Sequence, residues 1–326
     1  MDAIDRYFAV FDGLLRGKRW STDTNMLRLA ALTAMSCEGG GAVARSRAVA
    51  ARLGRKPSPL RSMNAGLRLA IGAMLVRRDV EVEAAIAGIE RGLELFRRHR
   101  LKRHGSHPRL AALILVLEQG GDGVSEQAVE RMAAIMARWK KDHFFLTGID
   151  DYLMAALHAS RTGTPLALGR RVEAIYQALH REGMRRGNQL QLASHLLALS
   201  SRGAEVTARS FGTWARALRE RGQRVGSGQY DEVALLALSG ARVDAGATRV
   251  VTLRDALRAR KPRPGAALAF SIATGLLISE RIARSDGGAG APAAANLRAI
   301  QSLVEAQQAA AIAAISAVTA ATATAG

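Results

Sequence analysis

The densest group of charged side chains in the sequence is the run Arg-Arg-His-Arg-Leu-Lys-Arg-His at 97–104. Its members that are cationic at neutral pH are Arg97, Arg98, Arg100, Lys102 and Arg103. Guanidinium groups donate paired hydrogen bonds to phosphate oxygens, so the run predicts a polyanion-binding surface. The alternative is structural, because cations at the C-terminal end of a helix complement its exposed carbonyl groups. No aromatic residue is interleaved after Phe96, which leaves base stacking without support.

A second group that could carry chemistry is the acidic pair Asp150 and Asp151, with His143 shortly before it. Carboxylates beside a histidine are the materials of metal sites and of acid–base catalysis. A partner contact and a capping role are the alternatives. We prefer capping, in which acidic side chains at the start of a helix bind its first amides. His158 shares a helix face with Asp151, but two turns away, or about 10 Å, which is too far for that pair alone to share an ion.

Other recognised catalytic and cofactor patterns are missing from the sequence. A single cysteine, Cys37, excludes an internal disulfide and a cysteine-based zinc cluster. The glycine clusters lack phosphate-loop spacing, and no Gly-x-Ser-x-Gly turn occurs. His195 lies inside an alanine- and leucine-rich stretch, which favours a hydrogen-bonded core residue over a ligand. The sequence therefore predicts no catalytic residue, no metal and no cofactor.

The elements that carry these residues follow a regular repeat. Seven alanine- and leucine-rich stretches end at residues 36, 76, 119, 160, 200, 239 and 279, in steps of 39 to 43 residues. A period near 40 residues is typical of stacked helix pairs. The second helices are predicted between these stretches, at 42–53, 81–99, 125–139, 165–180, 206–219, 252–260 and 296–318.

The predicted fold is all-α, with no β-sheet, because no stretch alternates in the manner of a strand. We expect a repeat-like array of about seven antiparallel helix pairs, forming either an α-solenoid or a closed α/α toroid. Residues 1–326 are expected to form one helical-repeat domain. Near its end we predict a flexible loop at 287–292, an alanine-rich capping helix at 293–318 and a frayed tail at 319–326.

The net charge of +19 comes from 47 basic and 28 acidic residues. One interpretation is a polyanion partner, since clustered cations release the counterions of phosphates. The other is compositional drift, which we prefer, because 41 of the basic residues are arginine and its codons, like those of alanine, are GC-rich. The charge is nevertheless uneven, with nine basic residues and one acidic residue within 41–80.

The N-terminal residues lack the basic and apolar regions of a signal peptide. The uncharged stretch 265–279 has 15 residues, which is short for a membrane helix. Residues 306–326 are uncharged but only weakly hydrophobic. We therefore expect a cytoplasmic protein with no membrane span.

Two segments resemble a known family: Phe-Phe-Leu-Thr-Gly-Ile-Asp-Asp-Tyr-Leu-Met-Ala-Ala-Leu at 144–157, and Ile-Gln-Ser-Leu-Val-Glu-Ala-Gln-Gln-Ala-Ala-Ala-Ile at 300–312. Both are similar to an uncharacterised bacterial all-helical family catalogued only as a domain of unknown function. The resemblance implies a mostly helical, cytoplasmic bacterial protein of about this length. That family has no assigned activity, so no catalytic residue can be carried over from it.

Three functions stay open from the sequence. The first is a non-enzymatic helical-repeat protein that binds or scaffolds an unidentified protein partner. The second is binding of nucleic acid or another polyanion through the basic region 41–104. The third is an enzyme with an acidic site at Asp150 and Asp151, and of these we prefer the first.

Overall fold

The computed structural model describes residues 2–16, 23–37, 41–120, 123–142 and 146–285. Within these ranges the chain forms fourteen α-helices and no β-strand, which confirms the all-α fold class. The helices are α1 Ala3–Arg16, α2 Thr24–Ala34, α3 Ala42–Leu53, α4 Ala65–Arg78, α5 Val82–Arg98, α6 Ser106–Glu118, α7 Glu126–Asp142, α8 Tyr152–Ala159, α9 Pro165–Arg181, α10 Asn188–Leu197, α11 Ala204–Glu220, α12 Tyr230–Leu238, α13 Val243–Ala259 and α14 Ala266–Ser285.

The seven alanine- and leucine-rich stretches correspond to the even-numbered helices, from α2 to α14. The predicted second helices correspond to the odd-numbered helices from α3 onward, and the bounds of α3 are those predicted. Short 3-10 helices, Ile149–Asp151 and Ser227–Gln229, precede α8 and α12. The predicted loop 287–292, helix 293–318 (with its alternative bounds 296–318) and tail 319–326 lie outside the described residues.

Helix α13 begins at Val243, well before the predicted start at residue 252. The sequence prediction was wrong because Gly246 resembles a helix breaker. The glycine is instead required by packing, since a Cβ built at Gly246 would lie 2.4 Å from the Cη2 atom of Trp214 on α11. The close approach of two helices thus accounts for a residue with poor helix propensity.

The two kinds of helix differ in how they are buried. In α2 every residue from Met26 to Ala34 is buried, and in α6 every residue from Leu110 to Leu117. The odd-numbered helices bury one face instead, as α5 does through Ala85, Ile89 and Phe96. Burial on nearly all sides explains why the even-numbered helices consist largely of alanine and leucine, whereas one-sided burial explains the amphipathic odd-numbered helices.

The described residues divide into two compact units. The first contains residues 2–133 and 155–161, and the second contains residues 134–154 and 162–285. In the first unit, α1 packs on α2, α2 on α4, α3 on α4 and α5, and α5 on α6. In the second unit, α9 packs on α10 and α11, α10 on α12, α11 on α12 and α13, and α14 on α12 and α13. Within each unit, helices therefore pack mainly on their neighbours in the repeat.

The connections that enter the even-numbered helices lie next to one another. In the second unit, the side-chain nitrogen of Gln191 in α10 donates to Thr147 Oγ1, just before α8, at 3.2 Å. The backbone N–H of Arg185, just before α10, donates to the hydroxyl of Tyr230 at the start of α12 at 3.0 Å. Neighbouring even-numbered helices therefore begin on the same side of this unit.

One described helix is long and apolar enough to cross a membrane by length and composition alone. It covers Ala266–Arg284 within α14, and 56% of its most apolar window is buried inside the protein. A buried core helix passes the same test, so this weak signal does not establish a membrane span. The predicted absence of a span stays a prediction.

Candidate functional site

The basic run begins in the last turn of α5, where Arg97 and Arg98 are bound to Glu94. The Arg97 Nε atom lies 3.0 Å from Glu94 Oε2, and Arg98 Nε lies 3.7 Å from Glu94 Oε1. The hydrogen bond from Arg97 lowers the pKa of the Glu94 carboxyl below its usual range, and the charges of the two arginines add to this shift. These contacts and their position match the structural interpretation of the first two cations.

Arg100 occupies an unusual backbone position after α5. Its φ angle is 58°, in the left-handed region, whereas the same position after α9 and α11 is held by Gly183 and Gly222, with φ angles of 88° and 76°. At all three corners the next residue donates its N–H to a carbonyl five residues earlier, as Leu101 does to Phe96 at 2.8 Å. A side chain in this conformation costs about 1 kcal/mol relative to glycine. The repeat therefore accommodates an arginine where glycine fits better.

The connection after α5 lies beside the connection after α3. Arg109, in the first turn of α6, donates from Nη1 to Ser62 Oγ at 2.9 Å. We call the two connections, 54–64 and 99–105, the basic rim. Its arginine and lysine residues are all exposed, and no acidic residue lies among them; they are Arg55, Lys56, Arg61, Arg100, Lys102 and Arg103. The structure thus brings part of the basic region 41–80 together with part of the run 97–104.

Charge differs between the two kinds of connection. In the described parts of the first unit, the connections that leave even-numbered helices carry no basic residue, and Asp79 and Glu81 are their charged residues. In the second unit, the connections entering α10, α12 and α14 contain seven basic residues and one acidic residue. Those leaving α10 and α12 contain two basic residues and no acidic one. Compositional drift alone does not explain such a separation, because drift acts equally on both kinds of connection.

The connection into α8 is the exception, since it carries Asp150 and Asp151. Asp150 is exposed, whereas Asp151 is 8% exposed. The Oδ2 atom of Asp151 accepts the backbone N–H of Gly148 at 2.8 Å and so caps the turn before α8. His143, the third residue of the predicted acidic cluster, lies outside the described residues.

The histidine that reaches Asp151 is His195 of α10. Its Nε2 atom lies 3.6 Å from Asp151 Oδ1 and 3.3 Å from Gln191 Nε2, and its ring centroid lies 3.7 Å from that of Trp139. We call these four residues the His195 cluster. Their side chains are almost completely buried, and His195 is fully so. A histidine beside a carboxylate is capable of acid–base chemistry, but in this structure the imidazole is closed off from solvent.

The sequence analysis did not connect Asp151 with His195, which follows it by 44 residues. A glycine precedes several even-numbered helices at a constant interval: Gly148, Gly187, Gly226 and Gly265 are each 39 residues apart. Aligning the chain on these glycines would have placed Asp151 near the first turns of α10. His158, on which the sequence analysis focused, is also buried.

A further carboxyl with a shifted pKa lies between α12 and α14 of the second unit. Burial raises the pKa of Glu232 well above its usual range, the neighbouring Asp231 adds to the shift, and a hydrogen bond with Ser271 opposes it. No group of three or more histidine, cysteine, aspartate or glutamate residues in the described part of the chain is arranged to hold a metal ion.

Comparison with known proteins places the chain in a family. Residues 72–309, most of the chain, match the family described as "Protein of unknown function (DUF4003)". The chain belongs to this family. The match confirms the resemblance to an uncharacterised family noted for the segments 144–157 and 300–312.

A curated relative is "Uncharacterized protein YeaA" of Bacillus subtilis (strain 168). The two proteins are 32% identical over 92 residues, which is 28% of this chain and 28% of the relative. The chain therefore matches little more than a quarter of the length of that relative. No solved structure matches the chain.

Proposed function

We propose that this chain is a non-enzymatic, cytoplasmic binding protein in which stacked helix pairs present the basic rim to a macromolecular partner. The observation that carries the proposal is the separation of charge between connections that enter and leave the even-numbered helices. In the first unit, the rim places six exposed cations on two adjacent connections with no acidic residue among them. Repeat proteins use such rows of equivalent positions as extended binding surfaces.

The proposal prefers binding over catalysis because of where the titratable residues lie. The residues with the most suitable chemistry for catalysis, Asp151 and His195, are buried and in contact with each other. Asp151 also caps the turn before α8 through Gly148. These contacts support a stabilising role for the His195 cluster, so the enzyme hypothesis at Asp150 and Asp151 has no observation in its favour beyond residue type.

A capture experiment with matched variants tests this function. The rim variant carries Arg100→Glu, Lys102→Glu and Arg103→Glu. The control carries Arg170→Glu, Arg209→Glu and Arg216→Glu, which reverse three exposed arginines on α9 and α11. Each immobilised protein is incubated with a bacterial extract, with and without nuclease, and both protein and nucleic acid are recovered and quantified.

We expect the unmodified chain and the control to retain a partner that the rim variant loses. Circular dichroism and thermal melting confirm that both variants are folded, as expected for substitutions at exposed positions. Equal recovery with the unmodified chain and the rim variant would refute the rim as a binding surface.

A further inference from the structure

We infer that the partner of the basic rim is the phosphate backbone of a duplex nucleic acid, bound without preference for base sequence. This inference rests on the proposed function, because it names the chemistry of the partner at the same surface. It follows from the charge of the rim, the absence of apolar anchors and the absence of stacking side chains.

The charge of the rim matches a row of phosphates. Arg55, Lys56 and Arg61 come from the connection after α3, and Arg100, Lys102 and Arg103 from the connection after α5. The contact between Arg109 and Ser62 holds these two connections side by side. Cations on adjacent connections can neutralise several phosphates of one duplex and release their counterions, which supplies most of the affinity of sequence-independent binding.

Apolar side chains distinguish a nucleic acid from an acidic protein as the partner. Within the rim, Leu60 and Met63 are buried, and Leu101 is half-buried. Among the described residues, the exposed large apolar side chains are Leu166 and Val206, and both lie in the second unit. Protein interfaces obtain much of their affinity from buried aromatic and aliphatic anchors. A phosphate backbone requires none, so the composition of the rim favours a nucleic acid.

The rim also lacks the side chains that would bind single strands. It contains no phenylalanine, tyrosine or tryptophan in 54–64 or 99–105. Proteins that bind single-stranded nucleic acids stack successive bases on such rings. Contacts with phosphates set position and orientation on a duplex but carry no sequence information. The chemistry of the rim therefore fits a duplex read through its backbone.

Arg100 gives an independent reason to connect the rim with binding. The corners after α9 and α11 use glycine at the equivalent left-handed position, and the corner after α5 uses arginine despite its conformational cost. A strained residue at an exposed corner is common where a side chain has a role in recognition. At this corner the arginine adds one exposed cation to the rim.

Fluorescence anisotropy with purified full-length chain tests the inference. The probes are two duplex DNAs of unrelated sequence, a duplex RNA, and a single strand of the same length, each titrated between about 50 and 200 mM salt, the range over which phosphate contacts weaken steeply. The proteins are the unmodified chain, the rim variant and the control variant described above. An additional variant, Arg100→Lys, keeps the charge of the corner.

We expect the unmodified chain to bind both DNA duplexes with affinities within about twofold of each other, and more tightly than the single strand. If all six cations contact phosphates, the logarithm of affinity should fall with the logarithm of salt concentration with a slope of about −5, and by about 3 units less in the rim variant. The rim variant should lose more than about tenfold in affinity, whereas the control and Arg100→Lys should stay close to the unmodified chain.

Other outcomes would overturn the inference in distinguishable ways. No duplex binding at about 50 mM salt, together with capture of a nuclease-resistant protein that the rim variant loses, would assign the rim to a protein and leave the proposed function intact. Equal loss in the rim and control variants would show that net charge alone attracts the duplex. Tighter binding of the single strand would refute the duplex.

Discussion

The connections after α5 and after α7 occupy the same position in the repeat, and they use charge in opposite ways. Residues 99–105, after α5, carry exposed cations, and Arg100 there adopts a backbone conformation that glycine would adopt more readily. The connection after α7 carries acidic residues instead, and Asp151 turns inward to bind Gly148 and contact His195. One connection exposes its charges to solvent, and the other uses a charge to hold the protein together.

This difference separates stabilising charges from charges available for binding. Removing a buried carboxylate that accepts hydrogen bonds leaves other buried polar groups without partners, so its contribution to stability is large. An exposed cation at a strained corner contributes nothing comparable and lowers stability through its backbone. The two connections should therefore respond to mutation in opposite directions.

The largest expected effect is at Asp151. Asp151→Ala should lower the free energy of unfolding by about 2–4 kcal/mol, because it removes the cap on Gly148 and the carboxylate beside buried His195. Asp150→Ala is the matched control, and since Asp150 is exposed, its effect should stay within about 0.5 kcal/mol. Urea unfolding followed by circular dichroism measures both. Equal effects of the two substitutions would contradict the stabilising role assigned to Asp151.

An intermediate effect of opposite sign is expected at Arg100. Arg100→Gly should raise the free energy of unfolding by about 1 kcal/mol, because glycine adopts the left-handed conformation without steric cost. The reverse change after α9, Gly183→Arg, should lower stability by a similar amount, since a side chain there meets the same backbone restriction. Both are measured by thermal melting. A destabilising Arg100→Gly would show that contacts of the arginine side chain outweigh the strain.

The smallest expected effect is at Glu94, the exposed partner of Arg97 and Arg98. Glu94→Gln should leave the urea midpoint at neutral pH almost unchanged, because exposed ion pairs are weakened by solvent and salt. The pKa of Glu94 is lowered in the folded protein, so the contribution of the pair is present above the unfolded-state pKa and disappears as the pH falls through the folded-state pKa. A large loss of stability at neutral pH would instead assign these arginines to the structure of α5 and away from binding.

Much of the helical framework could be predicted from the sequence. The seven alanine- and leucine-rich stretches are buried helices, and Ala42–Leu53 was predicted at both ends. The start of α13 was not predictable, because the space that requires Gly246 is created by Trp214 on another helix. Local propensity disfavours glycine within a helix, and only the packing partner reverses that expectation.

The candidate sites show the same limit. The basic run at 97–104 and the acidic pair at 150–151 are visible from local spacing alone. The contacts between Arg109 and Ser62, and between Asp151 and His195, join residues that are 47 and 44 positions apart. Such contacts depend on how neighbouring helices are aligned, which a periodic pattern of similar alanine and leucine residues does not specify uniquely.

The sequence by itself determined the all-α fold class, the 40-residue period and the alternation of buried with amphipathic helices, because hydrophobic periodicity acts within single helices. Tertiary structure decided which charges meet and which face solvent. It placed Asp151 against His195 and grouped the cations of two separate connections into the basic rim. The physical reason is that burial and electrostatic contact depend on distances between elements, and those distances exist only after the helices pack.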